Sequence, residues 1–475
     1  MNRRDYTGCL MAGAAVVLTG CMSAPVPASV SAPWTPPAAA QAAPKTWQAT
    51  RAQQPDFSKP LALAELANLA LRQNPASRKA WNDARAAAAQ VQQAQGYFLP
   101  SVTAAGTLQR ARMDANPDTL SSDYLQYGPG LQLNYLILNL GGGRSAAVEQ
   151  ALQTVYAANF TFNRTLQAVL LGVQTAYYGL VSAQAGVAAA EAFTQDARTV
   201  LAAAQTRRDQ GAGTELEVLQ AQATLDQALF SLAGTQGLVH TARAALTQAL
   251  GVPADVPVQI VAPTNDLPAV PDTQRMALLI DAALQRRPDI AAQRARLAAS
   301  EAAITVAGAA QWPNLYANGR ISRDYYKVWN GQFQPDSDWA YGGGLSLQWT
   351  IFDGFQTRSA KRIARAQAAS VRSQLQQAEL AASADVWNGY QNYATALKKN
   401  QASAAVLLSA QAAHALALDS YQAGVKSLLD LLTAESQLAQ ARSQQVAARQ
   451  EAFTALAQLA YATGLLEQGE TEKPE

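Results

Sequence analysis

The sequence predicts an α+β membrane protein built as two tandem repeats, each holding a helix, a pair of strands and a long helical hairpin. Three observations point there. The chain copies itself at an offset of 213 residues, so that 208–225, RDQGAGTELEVLQAQATL, returns as 421–438, YQAGVKSLLDLLTAESQL. Within each copy the hydrophobic period changes from helical to two and back again. Beyond residue 20 there is no run of eighteen apolar residues, so a membrane-bound form rests on lipid or crosses as strands.

The N-terminus reads as an export signal over residues 1–20. Arg3 and Arg4 supply the positive start, residues 10–18 the apolar run, and Leu18-Thr19-Gly20-Cys21 the small-residue cleavage region. A Cys directly after such a site resembles a bacterial lipobox, which makes Cys21 the acylated first residue of the mature chain; Met22 in place of Asp favours outer-membrane sorting. Residues 21–59, rich in Pro, Ala, Ser and Gln, read as an extended linker behind this anchor. Cys9 lies inside the signal, so the mature chain keeps one Cys, with no internal disulfide and no cysteine metal cluster.

The remaining composition narrows the function. Charged residues make up 15% of the chain and the net charge is +2, which lacks the basic excess of a nucleic-acid binder. His240 and His414 stand alone in helical stretches, with no metal-ligand spacing, phosphate loop or nucleophile elbow elsewhere. No enzyme activity is expected, no metal, and no cofactor apart from a covalent lipid on Cys21. The function is geometric.

Repeat 1 spans 60–251 and repeat 2 spans 273–465. They are joined by a Pro-rich linker, 252–272, and followed by a polar tail, 466–475, expected to be disordered. The first helical stretches break at Asn74-Pro75 and Arg287-Pro288, because a proline disfavours helix in the residue before it. Pro100 and Pro313 then mark the helix-to-strand junctions. Strands follow at 101–112 and 131–135, and at 314–327 and 345–349, alternating apolar and polar residues. Phe98, Tyr135, Trp312 and Trp349 fall at strand ends, the depth at which aromatic rings settle in lipid headgroups. Half-buried hairpins of a soluble domain fit this pattern too. Two hairpins per chain cannot close a barrel, so a lipid-facing sheet requires several chains.

Gly141 and Gly354 allow the redirection from strand to helix, with Asn139 and Asp353 available as caps. The helices beyond, 144–209 and 358–423, are Ala-rich with a narrow apolar stripe: Leu166, Val169, Leu170, Val173, Tyr177 and Leu180. Each ends in a turn centred on Gly211 or Gly424, and the return helices 214–250 and 427–463 stop at Gly251 and Gly464.

This order, doubled behind a lipobox, resembles the TolC-like outer-membrane factor family, lipoprotein branch, over essentially 61–465. The resemblance rests on the repeat order, on Pro100 and Pro313, on the run from Leu345 to Phe355, and on the turn from Gly424 to Leu432. It implies a homotrimer in outer-membrane lipid, with four strands per chain in a shared twelve-stranded barrel continuous with a periplasmic helical tunnel. It further implies an exit duct that meets a periplasmic adaptor and an inner-membrane RND or ABC transporter. Cargo would be small molecules; type I secretion of a protein toxin is the near alternative and a periplasmic coiled-coil adaptor the distant one.

In that family the coil turns close the periplasmic end. Carried over by position, Asp430 matches an acidic constriction ring, Tyr421 and Lys426 match residues that tie the inner coil to its neighbour, and Glu217 matches an acidic partner. Three carboxylates on one axis repel and select cations. Taken alone, Asp430 also reads as a solvated helix-start carboxylate favoured by the helix dipole. Lys426 stands where Arg is usual, and Thr433 replaces a second acid, so the gate is expected to be less tightly charged.

Overall fold

The switch of hydrophobic period becomes a switch of structure at both prolines. In the computed structural model, which describes residue 57 and residues 59–113, 122–263, 267–269, 276–331 and 338–465, Pro100 and Pro313 each directly precede a strand. The signal, Cys21, all of 21–59 except Phe57 and Lys59, the tips of both strand loops, part of 252–272 and the tail 466–475 lie outside the described residues.

The first half runs α1 (Leu63–Gln73), α2 (Pro75–Gly96), β1 (Ser101–Met113), β2 (Ser122–Asn139), α3 (Gly143–Asp209) and α4 (Glu215–Leu250). The second runs α5 (Met276–Arg286), α6 (Pro288–Gly308), a short 3-10 turn (Ala309–Gln311), β3 (Asn314–Gly331), β4 (Asp338–Gln348), α7 (Gln356–Gln422) and α8 (Leu428–Thr463). The long helices α3 and α7 have 67 residues each, and the return helices α4 and α8 have 36 each. At about 1.5 Å rise per residue, α3 and α7 are rods of roughly 100 Å.

The proline breaks are built differently. At the first, the Asn74 side chain caps α2, accepting from Ala76 N at 2.8 Å. At the second, buried Arg287 grips both oxygens of Asp289 (2.7 and 3.1 Å), reaches Asp385 at 3.0 Å, and donates to the Ala462 carbonyl. A guanidinium fork meets several acceptors at once, which fastens this junction to α7 and α8.

The four strands form one antiparallel sheet in the order β1-β2-β3-β4, so β1 and β4 are its edges. The register stacks rows such as Ala104, Leu131, Ile321 and Tyr341 on one face and Thr103, Gln132 and Arg320 on the other. On the apolar face Leu131, Leu345 and Leu347 are exposed. β2 and β3, at 18 residues each, are longer than the sequence reading allowed. They run on through residues expected to be loop, because polar side chains do not end a ladder whose backbone remains paired.

The helices repeat the strand order. α2 packs on α3, α3 on α6 and α6 on α7, so each strand continues into a helix at the same place in the layer. Val169, Val173, Tyr177 and Leu180 of the predicted stripe are buried against Leu66, Leu246 and Leu250. The segment read as a linker takes part as well: Val252, Val256 and Val258 are buried in that cluster, and the Tyr177 hydroxyl donates to the Val261 carbonyl at 2.5 Å. One 18-residue window of α7 reaches a mean hydropathy of 1.2 with only 17% of it buried, long and apolar enough by composition to cross a membrane. In the fold it is part of a helix that leaves Val406, Leu408 and Leu416 uncovered.

Candidate functional site

The two coil turns are near copies in backbone and differ in chemistry. Gly211 and Gly424 take φ of +74° and +76°, a left-handed conformation that costs a side-chain-bearing residue strain. After Gly211, the amides of Ala212 and Gly213 close onto the Arg207 carbonyl at 2.9 and 3.0 Å; after Gly424, those of Val425 and Lys426 close onto Ser420 at 2.9 and 3.2 Å. Each return helix then opens with a capping box. Thr214 accepts from Glu217 N at 3.3 Å while the Glu217 carboxylate accepts from Thr214 N at 3.2 Å; Ser427 and Asp430 repeat both bonds at 3.3 and 3.2 Å. The Ser427 hydroxyl adds a donor to Asp430 at 2.7 Å.

Asp430 and Glu217 are therefore helix-start carboxylates, as the plainer sequence reading had Asp430. Hydrogen bonds from Ser427 hold the Asp430 carboxyl below its ordinary range, so it is charged throughout the neutral range. Its side chain is exposed, as is Lys426.

Between the turns, fully buried Tyr421 packs with Val200, Ala204, Val218, Leu428 and Leu431. The Arg207 guanidinium lies over its ring at 4.7 Å, donates to the Tyr421 carbonyl, and reaches the Ala212 carbonyl at 3.2 Å. This contact joins α3 to α7. Within the chain Tyr421 is thus met by Arg207; among the described residues Lys426 makes no ion pair. Burial and the Glu217 carboxylate raise the Tyr421 hydroxyl, against the opposing pull of Arg207, and that hydroxyl has no hydrogen-bond partner.

Further from the turn is a second polar group. Arg442 of α8 meets Asp196 of α3 at 2.6 Å. Beside them Glu435 is 1% exposed, and neither carboxylate oxygen has a partner. Burial, reinforced by Asp196, pushes its carboxyl up to about 7. Buried His414 of α7 is pushed down by burial, with Asp196 and Arg442 acting in opposite directions on it.

The other predicted residues are placed as follows. Trp312 and Trp349 are exposed just outside β3 and β4, with Trp349 Nε1 donating to Gln311 O at 3.1 Å. Phe98 carries the Arg144 guanidinium at 4.5 Å, and Tyr135 is half-buried within β2. At the strand-to-helix turns Gly354 has φ +65°, whereas Gly141 faces the Ala309 backbone so closely that a Cβ would sit 2.5 Å from its oxygen. The N-cap positions are Gly142 and Phe355, yet Asn139 and Asp353 still satisfy first-turn amides: Asn139 accepts from Gly143 N, and Asp353 from Thr357 N at 2.8 Å.

Two residues escaped the sequence reading. Arg207 has Ser420 at the repeat-related position, so it was invisible to an argument from repetition. Glu435 left a trace, since it occupies an apolar i, i+4, i+7 row with Leu431 and Leu438.

The description "outer membrane efflux protein" matches residues 66–252 and again 279–465, the two matches beginning and ending 213 residues apart. The chain is 32% identical to protein CyaE of Bordetella pertussis over 391 residues, 81% of this chain and 80% of that one. It is 27% identical to the pyoverdine export outer membrane protein OpmQ of Pseudomonas aeruginosa over 459 residues, 92% of this chain and 91% of that one. The solved structure of the outer-membrane channel OprN superposes with a TM-score of 0.74 at 24% identity, covering 87% of this chain and 95% of the other.

Proposed function

The chain belongs to the outer membrane efflux protein family, and from that premise we propose that three copies close into one exit duct. The observation that carries this reading is the sheet. Its edges, β1 and β4, pair with nothing else among the described residues, and one of its faces is apolar. Open edges are not tolerated in lipid, so the sheet closes by meeting other copies, β4 of one against β1 of the next. Three copies give a twelve-stranded barrel, and since the helices keep the strand order, the tunnel beneath closes at the same seams.

Two tandem repeats then supply alternate walls of that tunnel, and the paired coil turns form its periplasmic mouth. Asp430, repeated around the axis, presents a ring of charge; Tyr421 and Arg207 hold the two hairpins of one chain together. An adaptor and an inner-membrane RND or ABC pump load the duct from the periplasm, Cys21 carries a lipid, and small molecules leave, in keeping with the pyoverdine export named for one relative. No residue does chemistry on the cargo.

The test is assembly together with conductance. Purified protein in dodecyl maltoside should weigh three chains by native mass spectrometry and pass ion current in planar bilayers. A monomer that leaves the bilayer insulating would overturn the reading.

A further inference from the structure

We propose that an arginine row at the start of α7, Arg358, Arg362 and Arg365, binds the headgroups of anionic phospholipids below the barrel, an inference that rests on the membrane-spanning reading of the sheet.

All three side chains are exposed. Spacings of four and three residues put them on one stripe of the helix. They span about 10 Å along it, enough to cross the headgroup layer of one leaflet, roughly 5–8 Å. Among the described residues none of the three has a carboxylate within ion-pair distance. Arg372, the next member of the row, is paired with Glu301 of α6 at 2.8 Å. Lys361 turns the other way, its chain packing 3.5 Å from where a Cβ on Gly308 of α6 would sit.

The row faces outward. A cavity of about 670 Å³ is lined jointly by α2, α3, α6 and α7, including Arg296, Ala299, Ser300 and Val371. A layer whose four adjacent helices share one cavity is concave on that side, and the concave side of a closed barrel is its lumen. Glu301 lies roughly 100–160° round α6 from those lining residues at about 100° per residue. Arg372, held by Glu301, therefore marks the convex side, and Arg358 and Arg365 lie in line with it at seven-residue steps.

The surface directly above is apolar. Ile351, Phe352 and Phe355 are exposed, and the two rings meet edge to face at 5.4 Å. Phe355 has φ +67°, the left-handed value that Gly142 takes at the matching turn of the first half. A strained backbone that presents an aromatic ring to the surroundings calls for something to receive the ring. Aromatic residues over a basic cluster match the boundary between acyl chains and anionic headgroups. The feature is not inherited from the repeat, because α3 carries Ser145, Glu149 and Leu152 at the corresponding positions. A neighbouring copy is the poorer occupant: the open side of α7 would meet the edge helix α2, whose charges are Arg78, Lys79, Arg85 and one acid, Asp83, already paired with Lys79 at 2.6 Å.

The experiment is lipid counting by native mass spectrometry on the full chain in dodecyl maltoside, with added palmitoyl-oleoyl phosphatidylglycerol or phosphatidylcholine. The parent protein should retain phosphatidylglycerol preferentially. R358Q/R362Q/R365Q should lose that preference by roughly fivefold per arginine, while R372Q keeps it and R358K/R362K/R365K keeps most of it. Single R358Q and R362Q variants serve if the triple variant does not assemble. Equal retention of both lipids by the parent, or an unchanged preference in the Gln variants, overturns the proposal. So does a variant that separates into single chains with its lipid preference intact, which would place the row at a contact between copies. Insertion of the parent into vesicles of either lipid is scored separately; failure there sinks the membrane-spanning reading itself.

Discussion

Glu435→Gln should stabilise the protein at neutral and alkaline pH and do nothing for it in acid. Glu435 of α8 is buried and feels the charge of Asp196 on α3, which is paired with Arg442 and acts on His414 of α7. Its carboxyl goes from an ordinary 4.5 to about 7 on folding. Below pH 4.5 both states hold the proton and the group contributes no pH dependence. Between 4.5 and 7 the unfolded chain releases the proton and the folded chain keeps it, so stability falls as pH rises; above 7 the loss is complete. A gap of that size corresponds to about 3 kcal/mol per chain. Gln has the same shape and never ionises, so it removes this loss, while His414, common to both proteins, cancels in the comparison. Thermal melts in detergent, followed by circular dichroism from pH 4 to 9, should show no gap at pH 4. By pH 8 the variant should melt several degrees higher. A gap independent of pH, or a variant less stable at pH 8, refutes the assignment of a buried, neutral Glu435.

The turns give sharper tests now that their bonds are known. Asp430→Asn keeps an acceptor for the helix cap but removes the charge, so it should weaken divalent-cation block in planar bilayers without lowering the melting temperature. Asp430→Ala should do both, since it removes the carboxylate half of the capping box while Ser427 still accepts from the backbone at 430; a current trace identical to the parent's in both variants would remove Asp430 from the constriction. Arg207→Ala takes away a cation–π contact of about 1 kcal/mol together with the bond to the Tyr421 carbonyl, and should make cells more permeable to large antibiotics, whereas Lys426→Ala should do so less. Equal uptake in the two would return the tie to Lys426. Cys21→Ala should abolish metabolic labelling with palmitate, and undiminished labelling would refute the lipid anchor.

What was legible in the chain, and what was not, divides along a physical line. Backbone-level features were readable because they depend on a few residues with restricted dihedrals. The prolines at 75, 100, 288 and 313, the glycines at 211 and 424, and the first-turn acceptors Asn139 and Asp353 all mark boundaries that the structure keeps. Strand lengths were less legible, since polar alternation fades toward the loops while pairing continues. The buried valines after Gly251 were read as linker because prolines punctuate them, and only the fold brings that segment under α1. Side-chain partnerships across the hairpins were least legible: Arg207 and Tyr421 are 214 positions apart, and nothing local announces the contact.

A duplicated chain diverges in its side chains before its backbone. Duplication copies the local solution, and the local solution is backbone: Gly142 and Phe355 share φ of 67°, and Thr214–Glu217 and Ser427–Asp430 share a capping box. Two copies placed side by side in one wall do not share surroundings, so side chains that point out of the hairpin are free to part company. They do so at the contact between hairpins, where Arg207 and Tyr421 replace what would be Ser and Arg under strict repetition, and in the buried row, where Glu435 answers Gln222. They do so again at the start of α7, where an exposed phenylalanine and three arginines mark only the second copy. In a passive duct, selection on each copy acts through what it touches. The repeat-breaking positions are therefore the ones to vary in testing the proposed gate and the proposed lipid contact, and variants there should alter conductance or lipid retention while leaving helix content unchanged.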